Sequence, residues 1–122
     1  MAYLNPRVAD LGLNVLDTEA DVLHICSAAP SDYADTLTKS LGTKTSLSVG
    51  SPANATPNGR EVTVPAIADG SVSSSGNATH VAIVDSVNSR LLAWQSLGAT
   101  VAVTISEVFT LPSFKIRLAD PA

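Results

Sequence analysis

The chain of 122 residues is 45% apolar but only 4% aromatic, and its net charge is −4. It has no basic patch for phosphates, no run near the roughly 20 apolar residues of a membrane helix and no signal-peptide pattern at its start, so the sequence argues against nucleic-acid binding, membrane insertion and export. The single cysteine, Cys26, excludes an internal disulfide and a four-thiolate metal site.

The N-terminal segment differs from the rest of the chain. We predict an arm or irregular segment over residues 1–21 and a single β-rich domain over residues 22–122. Pro6 excludes an early helix interior, and residues 11–20 fit either a short helix or irregular chain. Acidic residues are concentrated at this end, where the only base is Arg7, and the acids are Asp10, Asp17, Glu19, Asp21, Asp32 and Asp35.

The first part of the predicted domain combines a strand, a helix and a long loop. Residues 22–27 predict a strand that is covered on both faces, because apolar side chains occupy odd and even positions alike. Ser31 is predicted to cap a short helix that Gly42 stops. Residues 43–59 contain several turn-forming residues, so we expect a loop with at most a short edge strand at 47–49.

From residue 60 onward, short strand patterns recur every 8–12 residues with turn signals between them. This spacing predicts an all-β fold, mainly an antiparallel β-sandwich or barrel, with a short helix and an N-terminal arm. The candidate strands are 60–65, 71–75, 79–86, 90–95, 101–106 and 113–118, and the candidate turns or breaks are Asp69-Gly70, Gly76-Asn77, Asn88-Ser89 and Gly98.

Residue types that carry chemistry are present but poorly arranged. His24 and Cys26 share one strand face and would ligate zinc only with help from His80 or Asp85, so two partly buried strand residues are the more ordinary interpretation. His80 and Asp85 are five residues apart on one strand and point to opposite faces. Nucleophile-elbow and phosphate-binding glycine motifs are missing. We therefore expect no catalytic residue, no metal, no cofactor and no enzymatic activity.

Apolar and aromatic residues suggest where a partner would bind. Trp94, the only tryptophan, either anchors an interface or fills the core of the sandwich together with Leu92, and the core position is the more ordinary one. Exposed apolar residues in a terminal arm are often ordered by a partner. The candidate interface residues are Tyr3, Leu4, Pro6, Arg7 and Trp94.

Several motifs together resemble one known group of proteins. They are HICSAAP at 24–30, SLGTK at 40–44, GREVTV at 59–64, IADGSV at 67–72, GNATHVAIVDSVNSRLL at 76–92, FTLPSFKI at 109–116 and the ending ADP at 119–121. With these motifs, residues 22–121 resemble a family of small proteins encoded among the virion structural genes of tailed phages and prophages of proteobacteria. The resemblance implies a structural role and supplies no catalytic residues.

The resemblance and the composition together predict a phage capsid decoration, or cement, protein that is made in the host cytoplasm and resides on the capsid surface of the virion. Its expected partners are the major capsid protein and neighbouring copies of itself, with no nucleic acid and no membrane. A tail, neck or head-completion component is the alternative within the virion. A carbohydrate-binding β-sandwich is the alternative from another class, although one Trp and two Tyr offer few stacking platforms.

Overall fold

The computed structural model describes residues 3–4, 14–50, 53–54 and 60–118. Strands dominate these ranges, and the predicted all-β, mainly antiparallel class is confirmed. The elements in chain order are β1 (Tyr3–Leu4), α1 (Asn14–Glu19), β2 (Val22–Cys26), α2 (Tyr33–Lys39), β3 (Ser40–Thr45), β4 (Ala53–Asn54), β5 (Arg60–Val64), β6 (Ile67–Val72), β7 (Gly76–Asp85), β8 (Arg90–Val103), β9 (Val108–Leu111) and β10 (Phe114–Leu118).

The described strands form two sheets of unequal size. The large sheet has seven strands in the order β1-β8-β7-β2-β3-β6-β9, and the small sheet has three in the order β10-β5-β4. Every neighbouring pair is antiparallel. The strand β7 lies between β8 and β2, as its two apolar faces predict, because a central strand is paired along both edges.

The main core lies between one face of the large sheet, the small sheet and α1. Leu23 and Ile83 from the large sheet, Val62 and Val64 from β5, and Leu16 from α1 are fully buried there. Burying a side chain of this size stabilises a fold by about 1.5–3 kcal/mol relative to leaving it exposed. Of the two alternatives for residues 11–20, the structure shows the short helix, which spans Asn14–Glu19 and packs into this core.

The opposite face of the large sheet carries a second, smaller cluster. Cys26, Ala82, Val84 and Leu91 are buried in it. Tyr33, from the first turn of α2, packs against these residues and helps to cover this face. The predicted strand at 22–27 is therefore covered on both faces, as its sequence indicates.

Helix α2 begins and ends at residues other than those predicted. Asp32, not Ser31, caps the helix, and its carboxylate accepts a hydrogen bond from the Asp35 amide at 2.7 Å. The helix ends at Lys39, and Gly42 lies inside β3 instead of stopping it. A Cβ at Gly42 would lie 2.5 Å from the Ser71 carbonyl oxygen, so this glycine allows two backbones to approach closely.

Two of the predicted turns are wrong because their glycines belong to strands. Asp69-Gly70 lies within β6, and Gly76-Asn77 begins β7. Gly70 makes room for the ring of Phe109 on β9, a strand that the sequence pattern did not predict. The predicted edge strand at 47–49 is also wrong, since this segment forms no ladder although Leu47 and Val49 are buried in the main core.

The predicted strand at 90–95 and the first three residues of the one at 101–106 belong to a single strand, β8, which has 14 residues and ends at Val103, whereas residues 104–106 lie in the turn that follows. Gly98 does not break the strand. Its φ of +82° lies where the register of the β7–β8 ladder shifts, and pairing with β7 resumes on both sides of this irregularity. A second register shift, next to Ile83, puts Leu92 in the main core and leaves Trp94 on the opposite face. The prediction that these two side chains share a face is therefore wrong.

Candidate interaction surface

Three of the five predicted interface residues meet at one edge of the large sheet. Tyr3 and Leu4 form β1, where Tyr3 pairs with Trp94 and Leu4 pairs with Ala93. The backbone of the N-terminal segment thus extends the sheet beyond β8 over two residues. Pro6 and Arg7 lie outside the described residues.

Trp94 does not fill the main core. It packs, partly buried, against the smaller cluster on the opposite face of the large sheet. Its ring makes an edge-on contact with His80, with ring centroids 5.3 Å apart and planes at 72°. The same face of β7 brings His80 directly opposite Cys26 on β2. Trp94 therefore belongs to a half-buried group that β2, β7 and β8 hold together.

The histidine and cysteine of β2 are held in their neutral forms. Burial lowers the pKa of His24, against the opposing charge of Asp21, and its Nδ1 lies 2.8 Å from the Ser40 hydroxyl. Burial raises the pKa of the Cys26 thiol to about 12, so this cysteine is a thiol, not a thiolate nucleophile, at neutral pH. In the described ranges, no group of three or more His, Cys, Asp or Glu side chains is arranged to hold a metal ion.

The turn between β7 and β8 is fixed by carboxylates. Asp85 is 2% exposed and accepts hydrogen bonds from the amides of Val87 and Asn88 and from the Asn88 side chain. Asp21, from the start of β2, accepts two more from the amide and hydroxyl of Ser86. These bonds order the turn, which presents Val87 with 83% of its surface exposed.

Much of the acidity near the N-terminus has a local structural role. Asp32 caps α2, and Asp35 accepts hydrogen bonds from Ser31 and pairs with Lys39 at 2.7 Å. These hydrogen bonds, led by the one from Lys39, lower the pKa of Asp35. Glu19 pairs with Arg90 at 3.6 Å. Several of the acidic residues near the N-terminus therefore serve a helix cap or an ion pair and need no partner to explain them.

The far end of β8 and the turn that follows it expose apolar side chains. Val101 is 44% exposed, Ile105 is 55% exposed and Val108 is 64% exposed. The turn is ordered nonetheless, because the Ile105 amide donates to the Ser75 hydroxyl at 2.9 Å and the Ser106 amide donates to the Val72 carbonyl at 3.0 Å. We call residues 99–108 the β8 tip. Apolar groups exposed on an ordered frame are characteristic of binding surfaces.

Sequence reasoning identified 101–106 only as a strand and missed this surface. The signal was present in the charge pattern, since residues 91–106 contain no charged residue between Arg90 and Glu107. Exposed side chains that carry no charge gain little from contact with water, so such a strand is a candidate for contact with another protein. The predicted interface residues lie in the N-terminal arm and at Trp94, and only the structure shows that the tip is exposed.

The chain matches no protein-family model, and no curated protein or solved structure shows significant similarity to it. Within the described ranges, neither helix is long enough or apolar enough to cross a membrane.

Proposed function

We propose that this protein is a structural component of a tailed-phage virion, most specifically a capsid decoration protein that binds the outer surface of the assembled head and stabilises it. The phage assignment rests on the motifs of residues 22–121 that resemble virion structural proteins. The binding role rests on one observation, the exposed apolar side chains of the β8 tip, in which Glu107 is the only charged residue.

The fold is suited to a binding role of this kind. A decoration protein stabilises a shell by mass action, because it binds the assembled form and not the dispersed subunits. Association loses less free energy to ordering when the binding surface is rigid beforehand. The hydrogen bonds from Ile105 and Ser106 and the caps on the β7–β8 turn order both ends of the β7–β8 hairpin.

The test of the binding role compares two exposed apolar residues at opposite ends of this hairpin. Ile105→Asp places a charge in the tip, and Val87→Asp places the same charge in the β7–β8 turn. Purified variants are titrated onto heads that lack the protein, and bound copies are counted by quantitative mass spectrometry. We expect Ile105→Asp to reduce occupancy and Val87→Asp to bind as the unmodified protein does. Equal binding by both variants would contradict a role for the tip.

Copy number distinguishes the head from the neck and tail. A decoration protein is present in a number comparable to the major capsid protein, whereas a tail, neck or head-completion component forms a single ring or a few copies. Mass spectrometry of purified virions gives this ratio directly. Virions that contain none of the protein would refute the proposal as a whole.

The N-terminal arm is a second proposed contact, with the capsid or with a neighbouring decoration subunit. The backbone of Tyr3 and Leu4 pairs with β8 over two residues, so this end of the arm lies at an edge of the large sheet. A variant without residues 1–10 should occupy fewer sites on the head. Unchanged occupancy would show that the arm makes no contribution.

A further inference from the structure

Edge strands of both sheets are protected from pairing with other chains. Natural sheets protect an edge by making it short, by placing Lys or Pro on it, or by covering it. The strand β4 has two residues, β9 has four and is followed by Pro112, and β10 contains Lys115. Each of these edges carries one of the usual forms of protection.

Among the residues that the structure describes, no strand pairs with the outer edge of β8 over residues 99–103. Its sequence there is ATVAV, without a charge or a proline, and it is rich in residues that favour strands. In the described part of the chain, β1 pairs with β8 only at Ala93 and Trp94, and the rest of the β8 ladder is made with β7. Gly98, with its positive φ, separates the covered part of the edge from the uncovered part.

We infer that residues 99–103 of β8 pair with the same residues of a second copy of this chain, antiparallel about a two-fold axis through Val101. This register places Val101 opposite itself, Thr100 opposite Ala102 and Ala99 opposite Val103. A two-fold pairing places the segment against an identical segment, so a strand with a net charge would repel its copy. The segment 99–103, uncharged throughout, is compatible with itself in this sense.

A second copy fits this edge better than a partner that would leave a free strand edge for further chains to join. The pairing of Tyr3 with Trp94 shows that β8 accepts an antiparallel strand on this side. Pairing about a two-fold axis occupies both edges at once and leaves neither available to a third chain, which prevents continued addition. The contact is short, so we expect a dimer that depends on protein concentration, not a permanent one.

This dimer goes beyond the proposed function, because it forms between purified molecules without any capsid. Sedimentation velocity over a concentration series measures it for the unmodified chain, Val101→Lys, Val101→Glu and an equimolar mixture of the two variants. Like charges directly opposite each other are destabilising, so each variant alone should raise the dimer dissociation constant by at least about tenfold. The mixture should restore dimers, since each Lys then faces a Glu. Val87→Lys, in the exposed β7–β8 turn, is the matched control and should dimerise normally.

Each result either supports or overturns the inference. Restoration by mixing shows both that the variants are folded and that residue 101 faces its own copy. An unmodified chain that stays monomeric at every concentration, or variants that dimerise as well as it does, would overturn the inference. Variants that stay monomeric when mixed, with thermal unfolding transitions intact, would also overturn it and assign the edge to a different partner.

A disulfide gives an independent measurement of the same register. Directly opposed strand residues have Cβ atoms about 4.5–5.5 Å apart, close to the separation that a disulfide spans. Val101→Cys should therefore cross-link into dimers under mild oxidation, and Thr63→Cys should not. The native Cys26 does not compete, since it is fully buried and its pKa is raised to about 12.

Discussion

Gly70 and Phe109 are paired directly across β6 and β9, and the Phe109 ring lies over the glycine where a Cβ would project. Phe109 is 5% exposed and belongs to the main core, so a displaced ring would have to disturb buried neighbours. The Phe109 ring from the neighbouring strand thus occupies the space that a side chain at residue 70 would fill. This contact attaches the edge strand β9 to the rest of the sheet.

Gly70→Ala should therefore destabilise the protein. The added methyl group overlaps the ring, and overpacking of this kind typically costs about 1–3 kcal/mol in the free energy of unfolding. Urea denaturation followed by circular dichroism measures the change. Gly50→Ala is the control, because a Cβ there meets only the Thr63 carbonyl oxygen at 3.6 Å, an ordinary contact. A Gly70→Ala variant as stable as Gly50→Ala would contradict the packing described.

The hydrogen bonds from Ser86 to Asp21 lead to a second prediction. Asp21→Ala removes the acceptor for both the amide and the hydroxyl of Ser86 and should lower the free energy of unfolding by about 1–2 kcal/mol. Asp69→Ala removes a carboxylate that is 73% exposed and pairs with Lys44 at the surface. That change should cost less than about 0.5 kcal/mol. Equal losses in the two variants would show that the hydrogen bonds to Ser86 stabilise the fold no more than the surface ion pair does.

Stability should depend on pH through His24. Burial lowers its pKa in the folded protein, so the unfolded chain takes up a proton near the usual pKa of 6.5 while the folded chain does not. The contribution of His24 to the free energy of unfolding should be fully present above that pH and decrease as the pH falls from 6.5 towards the lowered pKa of the folded state. His80 acts in the same direction, because its pKa is also lowered by burial.

Urea midpoints between about pH 7.5 and pH 5 measure this dependence. His24→Gln should reduce the slope, and the remaining slope should decrease further in the double variant with His80→Gln. A single-variant slope identical to that of the unmodified protein would exclude His24 as a source of the effect.

Trp94 should report the protonation of His80. The two rings are in edge-on contact at 5.3 Å, and an imidazolium beside an indole quenches its emission. Because Trp94 is the only tryptophan, fluorescence should decrease as the pH falls, with a midpoint below 6.5. His80→Gln should abolish this step, whereas His24→Gln should retain it. The assignment of the contact is wrong if the step survives without His80.

The class of fold was predictable because strand alternation is a local property. The faces of β2 and β7 follow from period-two patterns at Leu23 and Ile83, and the structure agrees with them. The positions of turns were less accessible, because Gly70 resembles a turn residue until Phe109 is known to lie over it. That contact joins segments about 40 residues apart, and no local pattern encodes it.

The candidate surface was predictable only in part. Tyr3, Leu4 and Trp94 were identified separately from their residue types, and the register that brings them together is a tertiary feature. Trp94 was expected in the core with Leu92, but the register shift beside Ile83 turns the two side chains to opposite faces. A shift of one residue exchanges the faces of a strand, and the sequence alone does not reveal where the shift occurs.

Cys26 is fully buried between α2 and the centre of the large sheet, and it is the only thiol of the chain. A thiol reagent in solution reaches it only when this part of the molecule opens. The rate of labelling therefore measures how often the native structure opens locally around β2, in conditions where the folded state predominates. A bound ligand or second copy that restrains β2 would slow that reaction, so the chain carries its own probe of association without any added label.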